Sequence, residues 1–154
     1  MCIRDRIYSG PDYPVGASMY VEQEYLDRVG FMDEGYFLYC EEMDWAERGR
    51  RLGMQPLIAL GSRLRHKEGA STGSRGGVRH KSLLSERYGV ISRLRITFKF
   101  WPARLPVVWF SLWAVMGDRL AHGEFRRAAL ILRLILTPWA WGFWGVSAFP
   151  SGTR

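Results

Sequence analysis

Three carboxylates fall within four residues, at Glu41, Glu42 and Asp44, and a histidine, His66, stands 24 residues after Glu42. Two readings of the acids are open. Acids in the first turn of a helix are stabilised by its exposed amides, by about 0.3 to 1 kcal/mol each. That accounts for any one of them. Crowded like charges also repel and raise one another's pKa, an arrangement suited to handling a proton or a cation. The aromatic neighbours Tyr36, Phe37, Tyr39 and Trp45 would give a carboxylate base a partly desolvated wall. His66 is followed by Lys67-Glu68-Gly69-Ala70-Ser71-Thr72-Gly73, small residues that let a backbone approach a phosphate or a sugar. Lys67, Arg75 and Arg79 are the counter-charges on hand. Cys40 has no histidine at useful spacing and reads as a small buried hydrophobe, while His80 and His122 read as surface residues.

The elements that must position these groups follow from punctuation and periodicity. Asp12 to Val21 is a turn and then a short, largely apolar strand-like run. Glu22 to Val29 predicts a short helix, with Tyr25, Leu26 and Val29 on its apolar face and Gly30 at its end. Phe31 to Tyr39 is aromatic and punctuated by glycine, hence loop or short extended chain. Glu41 to Gly53 is a clearer helix, with acids in the first turn, arginines in the last, and glycine where an αL cap is expected. Pro56 to Leu60 predicts a second apolar strand, so strand, helix and strand imply an α/β or α+β unit.

The 154 residues, 47% hydrophobic and 24% charged, suffice for one ordinary domain and are too apolar for disorder. Two cysteines outside any CxxC pair exclude a disulfide scaffold and a cysteine zinc site, and point to a reducing compartment. The net charge of +7 is unevenly spread. Residues 1–80 hold 11 basic and 12 acidic side chains, whereas 81–154 hold 11 basic and 3 acidic, a net of +8. Six of the seven tryptophans share that basic half. Arginine, tryptophan and long aliphatic runs together suit the headgroup region of an anionic membrane surface. Nucleic acid is the weaker reading, because its binders do not need a run such as Leu105 to Met116 without a charge. Gly69 to Lys81 is a glycine-rich basic loop, and from Leu83 an amphipathic helix is predicted to Phe100, with breaks at Pro102 and Pro106. Leu105 to Gly117 has 13 uncharged residues, short of the roughly 20 of a membrane span. Leu134 to Thr153 has 20, interrupted by prolines and glycines. Interfacial helices are therefore expected over 83–154, with a hairpin or true span as the alternative.

Gly16-Ala17-Ser18-Met19, Val29-Gly30-Phe31-Met32-Asp33-Glu34, Tyr36 to Trp45, Arg50-Arg51-Leu52-Gly53 and His66 to Ser71 occur in that order. Together they resemble the C-terminal part of the catalytic domain of family 2 glycosyltransferases, nearest to the rhamnosyltransferase-like subset that builds bacterial surface polysaccharides. The resemblance covers about residues 12 to 100.

The resemblance implies an α/β fold of the GT-A type over 12–82, followed by amphipathic and hydrophobic helices over 83–154, with 1–11 as a non-native or disordered leader. It implies inverting transfer from a nucleotide-diphosphate sugar, rhamnose by the subset, to a saccharide or polyprenyl-linked acceptor. The site would lie on the cytoplasmic face of the bacterial inner membrane. Glu42 matches the general base, normally an aspartate, with Glu41 and Asp44 as the other carboxylates able to serve. His66 matches the histidine that helps hold a divalent metal, Mg or Mn. Gly16, Ala17, Ser18, Trp45, Lys67 and Ser71 take the substrate-binding positions. Tyr88 and Arg93 fit an acceptor-side helix, whereas Ile91 and Ser92 stand where longer polar side chains are common. Relatives carry a nucleotide-binding strand and an Asp-x-Asp metal pair upstream, and only some 15 residues precede Gly16 here. The chain is therefore expected to be a C-terminal piece that transfers no sugar alone. A non-catalytic membrane-surface module with a well-capped acidic helix is the competing expectation.

Overall fold

The structure, a computed structural model, describes residues 7–9, 13–14, 16–59, 61–63, 65 and 82–137. These residues are predominantly helical, with one antiparallel pair of short strands. The chain divides into two compact units. The first comprises Met1–Glu34 and Cys40–Glu68, and the second Gly35–Tyr39 and Gly69–Arg154.

In the first unit, β1 (Ile7–Ser9) pairs antiparallel with β2 (Leu57–Ala59), Ile7 opposite Ala59 and Ser9 opposite Leu57. The apolar run at Met19–Val21 joins no ladder, and Tyr20 is 91% exposed. A strand needs a partner for its backbone groups, and β2 takes its partner from the stretch expected to be a leader. All three residues of β2 are exposed, so its apolar sequence does not mark core.

Helix α1 (Gln23–Val29) packs against α2 (Glu41–Arg51). The Tyr25 hydroxyl donates to the Trp45 carbonyl at 2.7 Å, and its ring meets the Trp45 indole edge-on at 5.0 Å. Gly49 is part of that contact, since a methyl group there would overlap the Tyr25 phenol. Helix α2 ends where the sequence says it should: Gly53 has φ of +78°, a conformation that glycine adopts without steric cost.

The second unit is built from three helices. Ser82 caps α3 (Leu83–Phe100), its hydroxyl accepting from the Ser85 amide at 3.1 Å. A 3-10 turn over Pro102–Arg104 leads into α4 (Leu105–Ala121), and Gly123, with φ of +72°, turns the chain into α5 (Phe125–Leu136). Pro106, expected to break the helix, lies in the first turn of α4 instead. There its missing N–H leaves no helical bond unmade. The core is Leu94, Leu112, Ile131 and Ile135, flanked by Val90, Trp109 and Met116. The segment Gly35–Tyr39 docks on α3. Ser92 Oγ donates to the Leu38 carbonyl at 2.8 Å, Arg95 donates to the Gly35 carbonyl at 3.0 Å and lies over the Tyr36 ring, and Phe37 stacks on Tyr88. A short hydroxyl at position 92 is what that contact requires. Among the described residues, no helix is long and apolar enough to cross a membrane.

A buried ion network closes this unit. Glu86 on α3 accepts from Arg119 of α4 at 2.9 Å and from Arg127 of α5 at 2.6 Å, and Arg119 also meets Glu124 at 3.0 Å. Replacing Glu86 would leave two largely buried guanidinium groups short of their counter-charge. Glu86→Ala is expected to cost about 3 kcal/mol in urea unfolding. A loss below about 1 kcal/mol would mean that the network is solvent-screened.

Candidate functional site

The acid cluster opens α2, and its three carboxylates have different surroundings. Two consecutive non-glycine residues with positive φ, Tyr39 and Cys40, each at 68°, precede the helix. Such conformations cost of order 1–3 kcal/mol each and persist where the surroundings over-determine them. Cys40 caps the helix through its backbone alone, its carbonyl accepting from the Asp44 amide at 2.9 Å.

Asp44 is fully buried and its carboxylate is bound by Arg48 at 2.9 Å. The same guanidinium donates to the Val29 and Phe31 carbonyls, both at 2.7 Å. Arg48 therefore ties α2 to the chain leaving α1, and Asp44 is the counter-ion that holds it there. Trp45, expected to contact substrate, is buried as well. Its indole N–H donates to the Gly30 carbonyl at 2.8 Å and its ring faces Tyr25, which commits it to the packing of α1 on α2.

Glu41 and Glu42 are half-buried. One carboxylate oxygen of Glu41, Oε2, is buried with no hydrogen-bond partner among the described residues. Burial pushes the Glu41 carboxyl above the ordinary glutamate range. A backbone amide opposes this shift and the neighbouring Glu42 charge adds to it. The helix dipole alone would act the other way, so desolvation and crowding outweigh the first-turn stabilisation at this position. Glu42 turns toward Gly16: a methyl group there would land on Glu42 Oε1 and within 3.1 Å of its Cδ. Gly16 is thus brought against the second acid of the pair, and Ala17 and Ser18 follow it as an exposed turn. Tyr36 and Phe37, expected to wall the acids, pack on α3 within the second unit.

His66, Lys67 and Ser71 lie outside the described residues. Among the described residues, no group of three or more His, Cys, Asp or Glu is arranged to hold a metal ion. The clamp residue Arg48 was not singled out among the candidate residues, although its i,i+4 spacing from Asp44 is a visible signal for an ion pair. Nothing in the sequence pattern marks Gly49 as the seat of Tyr25.

No family model matches this chain, and no curated protein or solved structure matches it either.

Two measurements check the division of labour among the acids. Arg48→Met leaves the Asp44 charge buried without its main counter-ion and is expected to cost about 3 kcal/mol or more in denaturant unfolding, whereas Asp44→Leu combined with Arg48→Met should recover part of that loss. A single-variant cost under about 1 kcal/mol would contradict the clamp. For Glu41, a raised folded pKa means that the ionised form is disfavoured in the folded state. The penalty is absent below the unfolded glutamate pKa and is fully present above the folded one. Glu41→Gln should therefore raise the melting temperature relative to the wild type at pH 7. The difference should fade as pH falls below the ordinary glutamate range. A variant less stable than the wild type at neutral pH would contradict burial as the dominant influence.

Proposed function

We propose that this chain is the acceptor-side part of an inverting glycosyltransferase of the GT-A type, with Glu41 and Glu42 as its working carboxylates. The observation that supports this reading most is the separation of roles at the start of α2. Asp44 is committed to Arg48, while the neighbouring acids are left with a buried oxygen on Glu41 that has no partner among the described residues and a carboxylate against Gly16 on Glu42. A carboxyl such as Glu41, whose pKa is lifted by burial, holds a proton more readily than an ordinary glutamate.

In the proposed step an acceptor hydroxyl oxygen attacks the anomeric carbon of a nucleotide-diphosphate sugar from the face opposite the leaving group. The new C–O bond forms as the bond from that carbon to the diphosphate oxygen breaks. The hydroxyl proton passes to the Glu42 carboxylate, and the nucleoside diphosphate leaves with the bonding pair. Glu41 stands beside it as the second carboxylate able to serve. Gly16 admits the Glu42 side chain to the acceptor side, and Ala17 and Ser18 line the approach. Lys67 and Ser71 are assigned to the substrate by the resemblance alone. The expectation of Mg or Mn at His66 rests on the resemblance too. Rhamnose as donor sugar, a saccharide or polyprenyl-linked acceptor, and a location on the cytoplasmic face of the bacterial inner membrane belong to the same proposal. The basic helical half would hold the enzyme at the anionic lipid. The competing reading, a non-catalytic membrane-surface module, draws on the apolar residues exposed along α4.

The sequence contains no Asp-x-Asp pair. Transfer is therefore tested with the chain joined to an upstream donor-binding half that carries one, using thymidine- and uridine-diphosphate sugars with Mg or Mn. The isolated chain is the blank. Glu42→Gln is expected to lower kcat by about 100-fold or more while leaving the KM for the donor near its wild-type value. Loss of activity in Glu41→Gln alone would move the base to that residue. Full activity in both variants would overturn the acid pair as the base.

A further inference from the structure

Helix α4 presents an apolar surface on both of its sides. Its inner positions, Leu105, Val108, Trp109, Leu112, Val115 and Met116, join the core with α3 and α5. A helix that is apolar on one side only would turn polar residues outward. Here Val107 is 71% exposed, Phe110 65%, Leu120 45% and Trp113 39%, and no charged residue occurs between Leu105 and Gly117. At 100° per residue, positions 106, 107, 110, 113, 114 and 117 fall on one outward arc about three turns long. Contiguous apolar surface of this kind marks an interaction site.

The charges around it say what covers it. The described residues of the second unit's three helices and their turns carry three acids, Glu86, Asp118 and Glu124. Arg119 and Arg127 hold Glu86, Arg119 holds Glu124, and His122 and Arg119 face Asp118. Every acid is thus already answered within the unit. Arg93, Arg104, Arg126 and Arg133 have no acidic partner among the described residues and are exposed. Arg104 stands directly before α4, and Arg126 and Arg133 share one side of α5, beside an exposed stripe of Phe125, Leu132 and Leu136.

We propose that the outward face of α4 is the surface by which this chain lies on an anionic lipid bilayer, with the helix axis in the membrane plane, Arg104 at the lipid phosphates and the other exposed arginines of the unit adding to the attraction. The inference rests on the membrane-surface part of the reading above and identifies the surface responsible. An uncharged apolar arc with Arg104 at its start, on a unit whose exposed cations outnumber its acids, matches acyl chains and anionic headgroups together. A nucleic acid would leave the uncharged arc uncovered. The 13 uncharged residues from Leu105 rise roughly 20 Å along the axis, less than the roughly 30 Å of a hydrocarbon core, so the helix lies along the surface and does not cross it.

The test is co-sedimentation of the full chain with vesicles of phosphatidylcholine alone and with about a quarter phosphatidylglycerol. The expected result is binding to the anionic vesicles that weakens with salt and falls at least about tenfold for Phe110→Glu. Phe110 points away from the core, and an unchanged circular dichroism melt verifies that the variant folds. Arg126→Gln with Arg133→Gln should weaken binding at low salt and flatten its salt dependence. Equal binding to both vesicle types, or Phe110→Glu binding as tightly as the wild type, would overturn the inference. So would a lipid-free dimer that Phe110→Glu dissociates, because the face would then belong to a second copy. Glu42→Gln should bind vesicles as the wild type does. Binding to anionic vesicles with no sugar transfer even after the chain is joined to a donor-binding half keeps this inference and removes the catalytic reading, whereas transfer by the joined protein without vesicle binding does the reverse.

Discussion

A single guanidinium organises the first unit. Arg48 answers the buried charge of Asp44 and at the same time satisfies the carbonyls of Val29 and Phe31, so the direction of α2 is tied to the end of α1. An unpaired carboxylate at that depth would be costly, and the pair is retained because it also satisfies backbone groups that no helix bond reaches. Glu41 and Glu42 sit at the start of the helix so positioned. Their exposure, their crowding and the approach of Gly16 all depend on where that helix begins.

The second unit uses charge differently. Glu86 and Glu124 pair with Arg119 and Arg127, and Glu86 locks α3, α4 and α5 together. The arginines left over face outward. Internal pairing and an outward cationic surface are therefore two results of one distribution: few acids among many arginines, with Glu86 buried in the network. Helix α4 adds apolar surface on the side away from the core, a combination that a fully water-exposed helix would not keep.

Much of the helical framework was legible in the sequence because its signals are local. The acids before and arginines after Trp45, the glycine at 53, and the span from Leu83 to Phe100 all reflect capping and periodicity, and the observed helices follow them. Of the strands, the one at Pro56 to Leu60 was legible and β2 lies within it, but its partner was not, because a three-residue ladder is decided by which segment finds a mate. The apolar run at Met19–Val21 found none, while Ile7–Ser9 did. Pro106 was misread for a related reason: a proline ends a helix that runs into it and begins one that starts beside it. At the candidate site, the type and crowding of the acids were visible, but the commitment of Asp44 to Arg48 and of Trp45 to Gly30 depends on burial. The partner expected for the acid pair, His66, lies outside the described residues.

The central claim is that neighbouring carboxylates at the start of α2 occupy different environments, with Glu41 poised to hold a proton above the ordinary glutamate range. A site-resolved carbon NMR titration of the glutamate side-chain carboxyls measures this directly. The account predicts that the Glu41 resonance titrates at higher pH than exposed glutamates such as Glu24, and that Glu42→Gln brings it back toward them. A Glu41 resonance titrating together with the exposed glutamates, or below them, would contradict it.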